Sequence, residues 1–283
     1  MIVKNNSEYS IHPDLSHIDD TFDIAMCFDV FYPPDCFPEH CKVIYGPHFF
    51  VFPEDMSHPI FNYNYDPTRF FYNTLCEWNY VIHKSFAPHF GIQFLRCPFA
   101  IDYETIQIAP PIESRKGILI YVKGRLESEV KYMLDFLDSK GEMYTIIRYG
   151  TYKNSDFLEK LRLSKYVVWI GRHESQGFAL QETLASNIPI LIWDVKSMYE
   201  EYGSNQKSIY ESYKLSDKSL AATAAPYWSD ECGEKFYEKE ELSDKYDMMN
   251  YKLSRFNPRS FIEKYLSHSA AFKGLMQAIN VIY

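Results

Sequence analysis

Two glutamates, Glu174 and Glu182, have seven residues between them in the stretch HESQGFALQETLASNIPILIWD at 173–194, Gly177-Phe178-Ala179 among these. Carboxylates are natural bidentate acceptors for vicinal hydroxyls, so Glu174 suits a sugar and Glu182 a ribose diol. The sequence after the polar loop predicts a helix from about Gly177 to Ser186, and the first amides of a helix have no internal partners. Those of Gly177, Phe178 and Ala179, with the aligned dipole behind them, suit a diphosphate, and Gly177 lets a ligand approach the backbone. Taken alone, Glu182 reads as dipole compensation; paired with Glu174 and the Gly-Phe amides it reads as a ligand group. His173 is a loop-supporting residue in this reading.

The elements that must position these groups follow from the alternation along 116–194. ILIYVK (118–123) reads as a buried strand, and Val130, Met133, Leu134 and Leu137 mark a helix that Gly141 ends. MYTIIRY (143–149) is the next strand. Asn154 or Ser155 can cap a helix carrying Phe157, Leu158 and Leu161, and YVVWI (166–170) follows. Asn187 suits the left-handed position after the 177–186 helix, and Pro189 opens the strand PILIW. This β-α-β-α-β-α-β pattern predicts an open parallel sheet, and such sheets bind ligands at the carboxyl ends of their strands. Lys123-Gly124-Arg125, Tyr149-Gly150 and the segment from Gly171 to Gly177 all fall there.

The first half is rich in proline and aromatics, with FDIAMCF (22–28), KVIY (42–45), YVIH (80–83) and IQFLR (92–96) as candidate strands of a second, smaller α/β lobe. IAPPIESRKG (108–117) reads as a linker. Residues 256–282 supply one or two helices, with Pro258 near the start. The expected organisation is a shortened N-terminal acceptor-side lobe at 1–112, a donor lobe at 113–255, and C-terminal helices at 256–283 that pack back toward the first lobe. Trp169, Trp193 and Trp228 are expected in the core or at a lobe interface.

Composition narrows the partners. The chain has 283 residues, 46% of them hydrophobic, enough to bury a substantial core, and a formal charge of -9 that opposes nucleic acid and anionic lipid surfaces. No apolar run has the length of a membrane span and no signal-peptide core is present, so a soluble, cytoplasmic protein is expected. The six cysteines lack regular spacing, which favours reduced thiols. Cys36, His40 and Cys41 have no further ligand pair to complete a zinc site. The sequence does not specify an oligomeric state.

Two glutamates around a Gly-Phe helix start, followed by a small-residue helix and a Pro-initiated strand, resemble the retaining GT-B glycosyltransferases of family four. Upstream, Gly124-Arg125 and Lys131 reproduce the spacing of that family's diphosphate-binding Arg and Lys, and APYWSDECGEKF (225–236) is similar to its Gly-containing loop. The resemblance covers 118–194. It implies a reduced GT-B fold of two Rossmann-like lobes with the site in the cleft between them. It also implies transfer of a hexose-type sugar, with retention of configuration, from a UDP- or GDP-sugar to a glycan or other hydroxyl acceptor. Glu174 then positions the donor sugar, while Arg125, Lys131 and the helix amides stabilise the departing diphosphate. No cofactor and no metal are expected, in keeping with the lack of an Asp-x-Asp motif. The family's first-lobe histidine is matched by His48, with His83 and His89 as rivals. The first lobe departs from the family in lacking a Gly-rich turn, and the donor lobe omits one βα unit. The aromatic-rich chain also resembles glycosyltransferases of large DNA viruses, which would place it in the host cytoplasm. Two other readings are a catalytically silent GT-B-like glycan-binding or assembly protein, and an NDP-sugar epimerase or hydrolase.

Overall fold

A computed structural model of the chain describes residues 22–28, 30–47, 59–86, 91–197 and 221–280. It divides into two compact units, Met1–Ala100 with His268–Tyr283, and Ile101–Ser267. The divisions fall at 100/101 and 267/268, where the sequence reading placed them at 112/113 and 255/256.

The first unit holds a parallel sheet of β1 (Ile24–Cys27), β2 (Lys42–Tyr45), β3 (Phe70–Asn73) and β4 (Gln93–Leu95), in that order, with helix α1 (Glu77–Phe86) joining β3 to β4. One face carries an aromatic cluster in which Tyr45 and Phe70 stack at 6.2 Å, with Ile60, Tyr65 and Tyr72 around them. On the other face Ile44, Phe71 and Leu95 pack with Leu275 and Ile279 of the last helix.

Two elements here correct the sequence reading. YVIH is not a strand but the middle of α1, where buried Trp78 and Ile82 and the exposed Val81 follow a helical period. FFYN, unassigned in the sequence, is the fully buried strand β3; with no polar residue alternating through its aromatics, it carried no strand signature.

The second unit is a five-stranded parallel sheet in the order β6-β5-β7-β8-β9. Its strands are β5 (Ile118–Val122), β6 (Tyr144–Arg148), β7 (Tyr166–Ile170), β8 (Ile190–Trp193) and β9 (Gly233–Phe236). Its helices are α2 (Glu127–Ser139), α3 (Asn154–Leu163), α4 (Phe178–Ala185), α5 (Leu242–Lys252) and α6 (Pro258–Leu266), and α7 (His268–Asn280) belongs to the first unit.

Strands β5, β7 and β8 are buried along their whole length, the condition that writes a parallel strand as an unbroken apolar run. Their alternate side chains feed two cores. Leu119, Tyr121, Val167, Trp169, Ile190 and Ile192 face α3, α4 and α6. Ile120, Val122, Val168, Ile170, Leu191 and Trp193 face α2 and α5. Trp228 lies partly buried against the first of these cores.

Gly141 (φ 68°) and Asn187 (φ 59°) take the left-handed conformations that end α2 and α4. Two local readings change. Neither Asn154 nor Ser155 caps α3, which has Lys153 at its cap position and no side-chain cap bond. Within APYWSDECGEKF, Gly233–Phe236 is strand β9 rather than loop. Among the described residues no helix is long and apolar enough to cross a membrane.

Candidate functional site

The order β6-β5-β7-β8-β9 sets a geometric expectation before any side chain is considered. From β5 the chain moves outward to β6 and then returns past β5 to β7, so the connections leave β5 and β7 in opposite directions. A crevice opens at the carboxyl ends of such a pair. Lys123-Gly124-Arg125 follows β5 and the loop from Gly171 to Gly177 follows β7.

At this point the Lys123 ammonium donates to Glu174 Oε1 at 2.5 Å, with the two side chains 12% and 14% exposed. Lys123 Nζ also lies 4.4 Å from the centroid of the Tyr149 ring, which extends from the loop after β6 and is largely exposed. The three segments that the sequence reading brought to one edge thus meet through side chains.

The backbone around Glu174 is fixed from two directions. Its N–H donates to the Thr223 carbonyl at 3.0 Å. The loop that carries Thr223 is held by Asp194, fully buried at the end of β8. Asp194 Oδ1 accepts the amides of Val195 and Ala224 at 2.9 and 2.6 Å, while Oδ2 accepts Thr223 Oγ1 at 2.6 Å and Lys235 Nζ at 2.8 Å.

On the other side of Glu174, buried Gln176 and Gln181 interlock. Gln176 Nε2 donates to Gln181 Oε1 at 3.0 Å and Gln181 Nε2 to the Gln176 carbonyl at 2.8 Å. Gly177 then turns the chain into α4 at φ 81°, and a Cβ there would lie 3.3 Å from Glu174 Cβ. The start of α4 has no side-chain cap, and its first amides have no intrahelical acceptor. Phe178 is exposed and Ala179 half-buried at that opening.

Glu182 lies just over one turn into α4. Its carboxylate has no hydrogen bond or ion pair among the described residues, and burial pushes its pKa above the usual carboxylate range. Tyr152 is within electrostatic reach of Glu182, Tyr149 and Glu174; burial first, then those charges, raise its phenol pKa, while a hydrogen bond with Tyr121 opposes the shift. Tyr152 Oη lies 3.2 Å from Tyr121 Oη, and Tyr121 stacks at 4.0 Å on Trp169. Tyr152 thus has both glutamates within electrostatic reach, and its ring packs edge-on against Tyr121 at 6.0 Å.

The remaining candidates are placed differently. Arg125 is buried, donates to both carboxylate oxygens of Glu129 at 2.8 and 3.0 Å, and reaches the carbonyls of Gly171 and Trp193 at 3.3 and 3.1 Å. It staples the carboxyl ends of β5, β7 and β8, and Gly124 (φ 63°) turns the chain toward it. Lys131 points from α2 to solvent, paired with Asp135 at 2.7 Å with both side chains more than half exposed. His48 and His89 lie outside the described residues. His83 is buried in α1, with Nδ1 2.8 Å from the Asn79 carbonyl and its ring stacked on Tyr72.

A cavity of about 700 Å³ opens beside Arg125, Glu129, Tyr132 and Trp193, and neither Glu174 nor Glu182 lines it. Sequence reasoning did not single out Lys123, Tyr152 or Asp194 as individual site residues. Asp194 did carry a signal, an acid directly following an all-apolar strand.

No family model matches the sequence, and no curated protein matches it. Solved structures do match. Over 86% of this chain and 69% of the other, the fold is similar to WaaB, a lipopolysaccharide outer core galactosyltransferase, at 14% identity and a TM-score of 0.50. A structure of S. aureus TarM, in complex with fondaparinux, alpha-GlcNAc-glycerol and UDP, matches over 86% of this chain and 51% of its own at 11% identity and a TM-score of 0.51. A second TarM structure matches over 91% and 54% at 13% identity and a TM-score of 0.50. The chain thus spans about half to seven tenths of the length of these proteins. Its two parallel-sheet, Rossmann-like units are those of a reduced GT-B fold.

Proposed function

We propose that this chain is a glycosyltransferase that moves a hexose-type sugar from a UDP- or GDP-sugar to a glycan or other hydroxyl acceptor, with retention at the anomeric carbon. The observation that carries the reading is the placement of Glu174 and Glu182 on either side of the α4 start, at the switch point of a parallel sheet. The solved neighbours with this fold include a galactosyltransferase and a protein crystallised with UDP, which is consistent with that chemistry.

In this reading the amides of Gly177, Phe178 and Ala179 and the α4 dipole receive the diphosphate. Glu182 accepts the ribose hydroxyls, which would give its carboxylate the donors it lacks among the described residues. Glu174 accepts hydroxyls of the donor sugar and orients the anomeric carbon without attacking it. As the glycosidic bond breaks, negative charge grows on the leaving phosphate, where fixed amides and nearby cations act most strongly. Arg125 contributes a fixed positive charge at the same strand ends; Lys131 would have to leave Asp135 to reach a phosphate. The acceptor hydroxyl approaches from the face the diphosphate leaves, and that diphosphate takes up its proton. The reading requires no metal and places the reaction in the cytoplasm.

The test is nucleotide release from a panel of UDP- and GDP-sugars, with and without candidate glycans and in the presence of EDTA. Donor-selective release stimulated by an acceptor supports the proposal, and Glu174→Ala should abolish it with the fold retained. Donor turnover that needs no acceptor would favour a hydrolase or epimerase. Absence of nucleotide binding in calorimetry would leave a glycan-binding protein.

A further inference from the structure

We propose that Lys123 is this chain's diphosphate-binding cation and that, before the donor arrives, it is held on Glu174 Oε1, so that diphosphate binding is what opens Glu174 Oε1 to the sugar. The inference rests on the glycosyltransferase reading and adds to it an order of events.

Three cations stand near the carboxyl end of β5 or on the helix that follows, and their partners distinguish them. Arg125 is committed to Glu129 and to two backbone carbonyls, contacts that hold three strands together. Lys131 projects to solvent with Asp135. Lys123 has Glu174 as its hydrogen-bond acceptor among the described residues, which leaves donor capacity on an ammonium that carries three N–H groups. It is also the cation in direct contact with the residue assigned to the sugar.

A lysine is a compact charge on a flexible stem and can exchange one anion for another without rearranging its backbone. The face of Tyr149, 4.4 Å from Nζ, favours a cation in the same place and keeps the ammonium at the crevice as it changes partner. The pair is mostly withdrawn from solvent, where charge interactions are stronger than in bulk water.

Two consequences follow. Glu174 Oε1 is occupied by an ammonium in the resting protein and is a poor acceptor for sugar hydroxyls. A diphosphate seated at the α4 start competes for that ammonium with more negative charge than one carboxylate supplies. When Lys123 transfers to phosphate, Glu174 Oε1 is released from the ammonium. Diphosphate binding and sugar recognition are then positively coupled, and a free monosaccharide, which brings no anion, cannot open the pair.

The coupling has an unusual sign that a structural role for either residue would not produce. Glu174→Gln removes the competitor for Lys123 and should tighten binding of UDP or GDP, by about fivefold or more, the low end of ordinary coupling between sites. Lys123→Met should weaken the same nucleotide diphosphate by about tenfold while leaving the free nucleoside unaffected, because the lost contact is to phosphate. In the double variant the gain from Glu174→Gln should disappear.

Isothermal titration of UDP and GDP, uridine and guanosine against the full chain and these three variants, with circular dichroism to verify folding, reads all of this. A gain that persists without Lys123 would show simple repulsion by Glu174 and overturn the proposal. So would wild-type binding that Glu174→Gln leaves unchanged or weakens, an outcome that leaves the transferase reading standing. Failure of the wild-type protein to bind any of these nucleotides would sink both.

Discussion

At the scale of single residues, Glu182 combines burial with the lack of a hydrogen-bond or ion-pair partner among the described residues. Its pKa is raised by desolvation, so the folded protein holds the proton to a higher pH than the unfolded chain does. Stability contributed by the protonated group is present below the ordinary carboxylate value near 4.5 and is lost as pH rises through the folded value. Glu182→Gln should therefore stabilise the ligand-free protein at pH 7 by about 1 kcal/mol, with the advantage vanishing below that ordinary value. Nucleotide binding should weaken in the same variant. Urea denaturation at the two pH values, with calorimetry at pH 7, checks both; unchanged nucleotide affinity would remove Glu182 from the site. The residue scale is also where the sequence was least complete. Residue type and spacing brought out Glu174 and Glu182, yet they gave Arg125 no hint of its internal partners. Arg125 and Lys123 are two residues apart, and what separates them is that Gly124 turns the chain between an ammonium facing Glu174 and a guanidinium clamped under three strand ends.

At the scale of elements, Gly177 connects the loop holding Glu174 to the helix holding Glu182. Its φ of 81° is a left-handed conformation that costs an L-residue about 1–2 kcal/mol, and a Cβ there would press on the stem of Glu174 at 3.3 Å. Gly177→Ala should lower stability by about that amount and lower turnover by more than it lowers nucleotide affinity, because the displaced group is the one proposed to receive the sugar. A thermal melt alongside a kcat and KM determination tests this, and a loss confined to KM would place the strain elsewhere. Elements were legible where burial wrote a period into the sequence. The buried strands β5, β7 and β8 are unbroken apolar runs, and α2 shows its core-facing stripe. Legibility failed where the period was masked. In β3 aromatics stand at every position but the last, and in α1 the short apolar run YVIH fits either period until the burial of Trp78 and Ile82 decides it. Strand β9, GEKF, carries charge in its middle because the Glu234 carboxylate is met by Lys245 and Lys252 rather than by apolar neighbours.

At the scale of the whole molecule, the residues assigned to the donor all lie in one unit. Lys123, Tyr149, Glu174, the Gly177-Phe178-Ala179 amides and Glu182 fall within Ile101–Ser267, and so do both hydrophobic cores on the faces of its sheet. The residues that orient the site lie there as well, from Asp194 and Thr223 to the Gln176–Gln181 interlock. A fragment of residues 101–267 should thus fold independently and bind UDP or GDP with an affinity within a few-fold of the full chain, since every residue proposed to contact the nucleotide is retained. It should not transfer sugar, because the resemblance assigns acceptor recognition to the other lobe. Circular dichroism establishes folding, calorimetry the affinity and nucleotide release the activity. A folded fragment with no nucleotide affinity would mean that an essential donor contact comes from the first unit, and His48 would become the first residue to examine. Full transfer by the fragment would mean instead that the acceptor meets the donor entirely on the carboxyl edge of the second sheet.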